Sequence, residues 1–263
     1  MLRNVFSKTV WDLRRSLLGW GIGFGLVTLL YAAYYPTLRS SDVNALLDSY
    51  PQALKEAFNL TDFSSAAGYL NSSVFTILAP LLMLVFSAAV GARAIAGDEE
   101  AGTLELQLAH PLSRISLLLQ RFAALFAALV VAAAAVLVAL LVISGPADLG
   151  IGIGKLAAMC LHLLLLGLCF GTLALVVGAW AGRRSLVLAV TATIGAATYI
   201  ANSFLAQIDA LAWTRRLSPF HWYGAGEPLR NGIQLAGAGV LLAISLVLLA
   251  AGAVAFNRRD IAV

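Results

Sequence analysis

Six long apolar runs, separated by shorter polar segments, dominate this 263-residue sequence. Hydrophobic residues make up 61% of the chain and charged residues only 11%, whereas soluble domains carry about 25% charged residues. Each run is long enough to cross a bilayer as a helix, which takes roughly 20 residues. The runs are Leu17–Tyr35, Val74–Ala96, Ile115–Ile143, Leu156–Ala181, Ser185–Leu205 and Ile233–Phe256. We therefore predict an all-α membrane protein with six transmembrane helices in a single domain, residues 1–263.

The segment before the first run, residues 1–16, has a pattern of its own. Residues at steps of three and four form a stripe along one helical face: Val5, Phe6, Thr9, Val10 and Leu13. The basic residues mostly lie off this stripe, which is typical of an amphipathic helix at a membrane surface. Because this charged segment is long and the apolar run after it continues to Pro36, we expect an uncleaved first span rather than a signal peptide.

An even number of spans places both termini on the same side of the membrane. With this topology, eleven of the 17 basic residues lie on the side of the termini. The positive-inside rule makes that side cytoplasmic. The loop at residues 97–114 and the short GRRS link at residues 182–185 share this side. Residues 37–73 and 206–232 are then the two extracytoplasmic segments.

The sequence offers no recognisable site for catalysis. GIGIGKL at Gly150–Leu156 is similar to a phosphate-binding loop, but Leu149 replaces its first glycine and Leu156 replaces the Ser or Thr that binds magnesium. The histidines are isolated, and no nucleophile has a matching base. We therefore predict no catalytic residue, no metal site and no cofactor on this chain. Basic residues occur singly or in pairs, so that no face for nucleic acid forms.

Charges are absent from the centres of the runs. Arg93, Arg121 and Lys155 lie near run ends, where we expect long side chains to extend to the interface. Ion-driven pumps usually keep a charge in mid-membrane, so we expect any driving energy to enter elsewhere. In the fifth run, one helical face carries Thr191, Gly195, Thr198 and Asn202. These polar groups either bond neighbouring helices or line a path for cargo.

The stretch GDEEAGTLELQLAHPLSR, Gly97–Arg114, is the sharpest interruption of the apolar pattern. Asp98 is suited to cap the start of a helix. The two glutamates that follow would then lie in its first turn, where the helix dipole favours anions by roughly 0.3–1 kcal/mol each. Pro111 ends this helix, and Ser113 caps the third span. We expect a short amphipathic helix whose acidic face meets either solvent or a protein partner.

This stretch and the start of the third span resemble the loop between the second and third spans of type 2 ABC-transporter permeases. The shared pattern is two acids, then Gly-Thr-Leu-Glu, a few apolar residues, Pro-x-Ser-Arg and a further basic residue. It is filled by Glu99, Glu100, Gly102, Thr103, Leu104, Glu105, Pro111, Ser113, Arg114 and Arg121. LSPFHWY at Leu217–Tyr223 and FNRRDI at Phe256–Ile261 resemble the family's segment before the last span and its basic tail. The resemblance extends over the whole chain.

The resemblance implies the type 2 ABC exporter fold and a permease without an ATPase of its own. A cytoplasmic ABC ATPase subunit, in two copies, would bind ATP and magnesium. A second permease chain would complete a homodimer in the cell membrane of a bacterium or archaeon. The segment Glu99–Leu108 would be the coupling helix that docks on the ATPase. The residues implied in coupling are Glu99, Glu100, Gly102, Thr103, Leu104, Glu105, Leu108, Pro111 and Arg114.

The family's cargo path implies further site residues. The second and fifth spans would line the path, and aromatic side chains before the last span would form an exit lid. The implied path residues are Phe75, Met83, Phe86, Thr191, Thr198 and Asn202. The implied lid residues are Phe220, Trp222 and Tyr223. The expected cargo is a hydrophobic or amphipathic drug, antibiotic or lipid.

Residues of the first extracytoplasmic segment carry a narrower similarity. YPQALKEAFNL and AAGYLNS are similar to a subgroup associated with export of polyketide-type antibiotics. Many members of that subgroup have two six-span halves, whereas this chain has one, which implies a pair of chains. Two other functions stay open on the residues alone. One is a membrane sensor or assembly factor that binds an ATPase without transport, and the other is an intramembrane enzyme.

Overall fold

The computed structural model of the chain describes residues 4–39, 51–57, 62, 65–103 and 113–258. The regular elements in these ranges are helices. In chain order they are α1 (Val5–Arg39), α2 (Gln52–Ala57), α3 (Ala66–Glu100), α4 (Arg114–Ser144), α5 (Ile153–Ala181), α6 (Arg184–Ser203), α7 (Pro219–Gly224), α8 (Pro228–Asn231) and α9 (Leu235–Arg258). Two short 3₁₀ helices, Leu205–Gln207 and Asp209–Leu217, connect α6 to α7.

Six of these helices, α1, α3, α4, α5, α6 and α9, are long and apolar enough to cross a membrane. They contain the first four predicted spans and overlap nearly all of the last two, and the all-α, six-span fold class is confirmed. The short GRRS link between the fourth and fifth spans is a tight connection, since α5 ends at Ala181 and α6 begins at Arg184. Ser113 caps α4 as predicted, because its side chain accepts a hydrogen bond from the Ser116 N–H at 3.1 Å.

The amphipathic N-terminal segment and the first span form one helix instead of two. α1 runs without a break from Val5 through Pro36 to Arg39, so the boundary expected near residue 16 is not a helix boundary. The residues around it include Arg14 and Arg15, which favour the helix and give no signal to end it. α1 packs mainly along α4.

The central helix of the bundle is α5. It packs against α3, α4, α6 and α9, and 78% of its most apolar window is buried. Glycines set its distance from α3. A Cβ atom at Gly91 would lie 2.6 Å from the Gly171 carbonyl oxygen, and one at Gly167 would lie 2.7 Å from Met83 Cγ. Small residues at this seam allow the two backbones to approach closely.

The first and fifth spanning helices lie at the edge of the bundle. Only 17% of the most apolar window is buried in α1, and the same share in α6. Both helices therefore have long apolar faces that no other described residues cover. In a membrane such faces contact lipid or another protein chain.

Candidate functional site

Asp98, Glu99 and Glu100 of the 97–114 loop lie at the end of a helix, not at the start of one. α3 continues through a π-helical turn, Arg93–Gly97, into Asp98–Glu100, and its residues keep right-handed helical dihedrals there. The helix stops where Gly102 adopts φ +64°, a left-handed conformation that glycine reaches at little cost. The prediction that Asp98 is an N-cap is therefore wrong, because the helix runs through Asp98. Gly102 is the residue that ends it. The dipole of α3 disfavours acids at this end.

Arg121 of α4 meets this negative charge from inside the bundle. Its guanidinium forms an ion pair with the Asp98 carboxylate, and its Nη1 donates to Thr9 Oγ1 at 2.8 Å. The Thr9 hydroxyl in turn donates to the Val5 carbonyl oxygen at 2.7 Å. Arg121 is only 7% exposed, and its extension to the membrane interface stays a prediction. Partners inside the protein hold its guanidinium in place. We call Thr9, Asp98 and Arg121 the buried joint.

Two further contacts connect the ends of the loop to other helices. Glu100 Oε1 accepts a hydrogen bond from the Arg184 N–H at 2.8 Å. This places a carboxylate at the N-terminus of α6, where the helix dipole favours it. Arg114 Nη1 donates to the Phe256 carbonyl oxygen at 3.3 Å, near the end of α9. Helix C-termini leave such carbonyls without an intrahelical donor. With the buried joint, the described ends of the loop contact α1, α4, α6 and α9.

The other residues implied in coupling are only partly described. Thr103 Oγ1 donates to the Asp98 carbonyl oxygen at 3.1 Å and closes the end of α3. Glu99 is half-buried, whereas Glu100 and Gly102 are exposed. The residues that lie outside the described ranges are Leu104, Glu105, Leu108 and Pro111. The predicted coupling helix is thus described only from Glu99 to Thr103, and of these residues Glu99 and Glu100 belong to α3.

The opposite end of the bundle holds an open cavity of about 380 Å³ between α3, α6 and α7. The predicted path residues Phe75 and Asn202 both line it, as do Phe220 and Tyr223 of the predicted lid. Its other lining residues include Asn71, Thr76, Tyr199, Ser203, Gln207, Arg215, His221 and Glu227. The three aromatic rings of Phe75, Phe220 and Tyr223 are buried, whereas Gln207, Arg215 and Glu227 are exposed. The cavity is therefore aromatic on its inner side and polar at its rim.

His221 at the rim of the cavity has a lowered pKa. Burial lowers the pKa of His221, and the positive charges of Arg215 and Arg216 lower it further. The imidazole is therefore neutral at neutral pH. Its ring lies edge-to-face against the Trp222 ring, with centroids 5.1 Å apart.

The three predicted lid residues all lie on the short helix α7, and each of them anchors it. The Tyr223 hydroxyl donates to the Phe75 carbonyl oxygen at 2.9 Å, and burial raises the pKa of this phenol, which keeps the proton in place. The Phe220 ring contacts the Phe170 and Tyr199 rings, each with centroids 5.4 Å apart. The Trp222 indole N–H donates to the Arg216 carbonyl oxygen at 2.9 Å.

His162 of α5 connects α7 to the start of α9. Its Nδ1 lies 3.1 Å from the Tyr223 carbonyl oxygen, which only accepts, so that Nδ1 carries the proton. Its Nε2 then accepts from the Gln234 N–H at 3.4 Å. Both ring nitrogens thus have structural partners. Within the described ranges, no three His, Cys, Asp or Glu side chains are grouped to hold a metal ion.

The remaining predicted path residues do not line the cavity. Met83 lies against Gly167 of α5. Phe86 packs edge-on against Phe24 of α1, with ring centroids 6.1 Å apart. The Thr198 hydroxyl donates to a carbonyl within α6, that of Ile194 at 2.7 Å, and Thr191 is fully buried. The structure therefore brings Phe75 and Asn202 together with Phe220 and Tyr223. Met83, Phe86 and Thr191 are buried in the bundle, and Thr198 is half-buried on α6.

Comparison with known protein families assigns the chain. The model of the family described as ABC-2 family transporter protein matches residues 3–261, nearly the whole sequence. The chain belongs to the ABC-2 transporter family. Among curated proteins, none matches this chain.

Membership of the ABC-2 family fixes the general role of the chain. It is a membrane transport subunit, and the ATPase resides on a separate subunit, so that an ABC ATPase is its implied partner. With six helices that are able to span a membrane, the chain is a multi-pass membrane protein. The permease family predicted from the loop motif is confirmed. The similarity to the antibiotic-export subgroup stays a prediction.

Two connections in this ABC-2 subunit were not predicted from the sequence. Arg121 and Asp98 are 23 positions apart. They flank the connection between adjacent spans. Two opposite charges placed in this way beside two apolar runs could have predicted the ion pair. His162 and Tyr223 are 61 positions apart, and no local pattern brings them together. A single histidine in an apolar run was the signal there, and it does not identify a partner.

Proposed function

We propose that this ABC-2 subunit exports a hydrophobic or amphipathic compound, such as a drug, an antibiotic or a lipid. The energy comes from ATP, bound with magnesium and hydrolysed on the ATPase partner. In this proposal both termini and the 97–114 loop lie in the cytoplasm of a bacterial or archaeal cell. The cavity beside α7 opens to the outside. Two copies of the chain form a homodimer that binds two copies of the ATPase.

The observation that carries the proposal is the set of contacts at the ends of the 97–114 loop. A loop bound only to its own flanking helices would move those two helices when a partner displaced it. Here the contacts extend beyond α3 and α4, because Glu100 contacts α6, Arg114 contacts α9, and the buried joint reaches α1. Displacement of the loop therefore reaches most of the bundle. This is the property that a docking site for a separate ATPase needs.

The cavity at the opposite end supports an amphipathic cargo. Its volume of about 380 Å³ is within the roughly 300–1,000 Å³ of small-molecule sites. Buried rings such as Phe75 and Phe220 offer apolar and stacking contacts. Asn202 and Gln207 offer hydrogen bonds beside them. A compound with an apolar body and a polar end matches this arrangement.

The exposed faces of α1 and α6 support a homodimer. Along α1, four apolar side chains recur every four residues and are more than half exposed: Leu18, Ile22, Leu26 and Leu30. Ile194 of α6 is exposed as well. Disulfide cross-linking in membranes tests this interface, since both native cysteines are buried. We expect Ile22→Cys and Ile194→Cys to cross-link two chains. Val247→Cys on α9, which is 68% exposed, is the control and should not.

Co-expression with an ABC ATPase tests the function itself. We expect a stable complex that transports an amphipathic dye into inside-out vesicles when ATP is present. Changing Glu99 and Glu105 to Lys should break the complex or separate ATP hydrolysis from transport. A complex that hydrolyses ATP without moving any dye or lipid would instead favour the sensor or assembly factor. If no ATPase co-purifies and the loop tolerates both changes, the proposal is wrong.

A further inference from the structure

The buried joint places a charged group where the surrounding protein is apolar. Arg121 is 7% exposed, and Leu117 and Leu118, which precede it by four and three positions on the same helix, are at most 1% exposed. A buried ion pair often stabilises a protein no better than apolar residues of the same size would. Stability alone therefore does not explain an arginine at this position. Conformational specificity is the other use for which buried charges are retained.

The geometry of the joint requires arginine rather than a smaller cation. One terminal nitrogen of the guanidinium pairs with Asp98 at the end of α3, and the other donates to Thr9 of α1. The planar fork of arginine reaches two partners in fixed directions, whereas a lysine ammonium is a single point charge. Asp12, one turn after Thr9, adds a second negative charge to the surroundings of the guanidinium. Three separate helices thus meet at one side chain.

The segment of α3 just before the joint is irregular. The π-helical turn Arg93–Gly97 directly precedes Asp98, and π-helical turns occur often at functional sites. A second bond fixes α1 to α4 next to the joint, because the Phe6 N–H donates to Gln120 Oε1 at 3.3 Å. The end of α3 therefore has a local irregularity on one side and a clamp to α1 and α4 on the other.

We propose that Arg121 is a positioning residue. It makes three segments move as one unit: the end of α3, the first turns of α1 and the first turns of α4. This inference rests on the proposed function, since it names the route by which displacement of the loop by the ATPase reaches the rest of the bundle. Arg121 acts through Asp98 and Thr9. It touches neither ATP nor cargo. Its loss leaves the ATPase docked but poorly coupled.

The test uses the full permease–ATPase complex in lipid vesicles. For Arg121→Met, we expect transport per ATP hydrolysed to fall about tenfold, within the usual range of coupling effects, while the affinity for the ATPase stays unchanged. Thr9→Val removes one branch of the joint and should lower the same ratio less. Thr28→Val, a buried position on the same helix, is its matched control. Arg93→Met is the control for loss of an exposed arginine beside the joint.

Two further measurements separate coupling from folding. Arg121→Lys retains the charge opposite Asp98 and should fold as the wild type does, yet regain only part of the coupling. Spin labels at Lys8→Cys and Ala101→Cys, both exposed positions, should give a narrow distance distribution that broadens in Arg121→Met. Asp98→Asn combined with Arg121→Met should cost little more than either change alone, because both remove the same interaction.

The outcomes distinguish this inference from the proposed function. If Arg121→Met and Arg121→Lys both couple as well as the wild type, the inference is overturned. It is also overturned if the two variants lose ATPase affinity in proportion to transport, since Arg121 would then serve docking. If the wild-type complex itself shows no ATP-dependent transport, the proposed function fails instead. If Arg121→Met does not fold, the test rests on Arg121→Lys and on the comparison of Thr9→Val with its control Thr28→Val.

Discussion

Single side chains set the tightest distances in this bundle. Gly91 of α3 faces the backbone of α5, and a Cβ atom there would lie 2.6 Å from the Gly171 carbonyl oxygen and 2.8 Å from Ala174 Cβ. Neither neighbour is the flexible end of a long side chain. A methyl group at this position would therefore force the two helices apart.

Gly91→Ala should destabilise the protein by about 1–3 kcal/mol, the usual cost of overpacking a dense core. Gly23→Ala in α1 is the matched control, because no atom lies within 4 Å of its added Cβ. The control should be neutral or slightly stabilising, since alanine favours helix over glycine by about 1 kcal/mol. Thermal unfolding in detergent measures both variants. Equal melting temperatures would contradict the packing described for α3 and α5.

His221 gives the chain a pH-dependent contribution to stability. Burial and the charges of Arg215 and Arg216 lower the pKa of His221, so the folded protein binds this proton less readily than the unfolded chain does. The contribution is therefore complete above about pH 6.5, the ordinary pKa of histidine. It is lost as the pH falls below that value. We expect the melting temperature to fall less between about pH 7 and pH 5 in His221→Asn than in the wild type. Parallel pH curves would show that His221 does not contribute.

At the scale of elements, α7 depends on a few bonds for its position. The Tyr223 hydroxyl bonds to α3, and the Tyr223 carbonyl oxygen bonds to His162 of α5. These bonds anchor the short helix beside the cavity. Its six residues are too few to form a stable helix in isolation. Loss of one anchor should therefore loosen the whole helix.

Tyr223→Phe should weaken the anchoring of α7 by about 1 kcal/mol, which corresponds to about fivefold faster amide hydrogen exchange there. The removed hydroxyl leaves the Phe75 carbonyl without this donor. Exchange measured peptide by peptide should rise over residues 219–224 and stay unchanged in α5. Tyr34→Phe on the exposed side of α1 is the control. A uniform change over the whole chain would mean that Tyr223 supports overall stability rather than α7 alone.

The sequence predicted the spanning helices because each is a long apolar run between polar residues. The same criterion misplaced the boundary at Asp98, where the change from apolar to acidic residues was taken for the start of a helix. The stop signal was Gly102, which adopts a left-handed conformation. The boundary near residue 16 was misplaced for the opposite reason, since a change in polarity occurs there without any residue that ends a helix.

The candidate site was only partly accessible from the sequence. Phe75 and Asn202 were predicted from their spans and line the cavity together with Phe220 and Tyr223. Met83 and Phe86 lie on the same helix as Phe75, but they face α5 and α1. Helical periodicity shows which residues share a face, but tertiary packing decides what that face meets. The buried joint depends on such packing as well.

At the scale of the whole molecule, the helices form a connected bundle with two specialised ends. The end with the 97–114 loop gathers charged contacts among α1, α3, α4, α6 and α9. The other end holds the cavity and the short helices beside it. Between them, α5 packs against most of the spanning helices. In the proposed function, energy therefore enters and cargo leaves at opposite ends of one packed unit.

The most direct test of this account is ATP-dependent transport by the purified permease and its ATPase in sealed vesicles. The measured quantity is the amount of amphipathic dye accumulated per ATP hydrolysed, with the ATPase exposed on the outer surface. The account predicts accumulation that requires ATP and both subunits, and that falls when the Glu99 and Glu105 charges are reversed. Accumulation that persists without the ATPase, or a stable complex that hydrolyses ATP and moves no cargo, would contradict it.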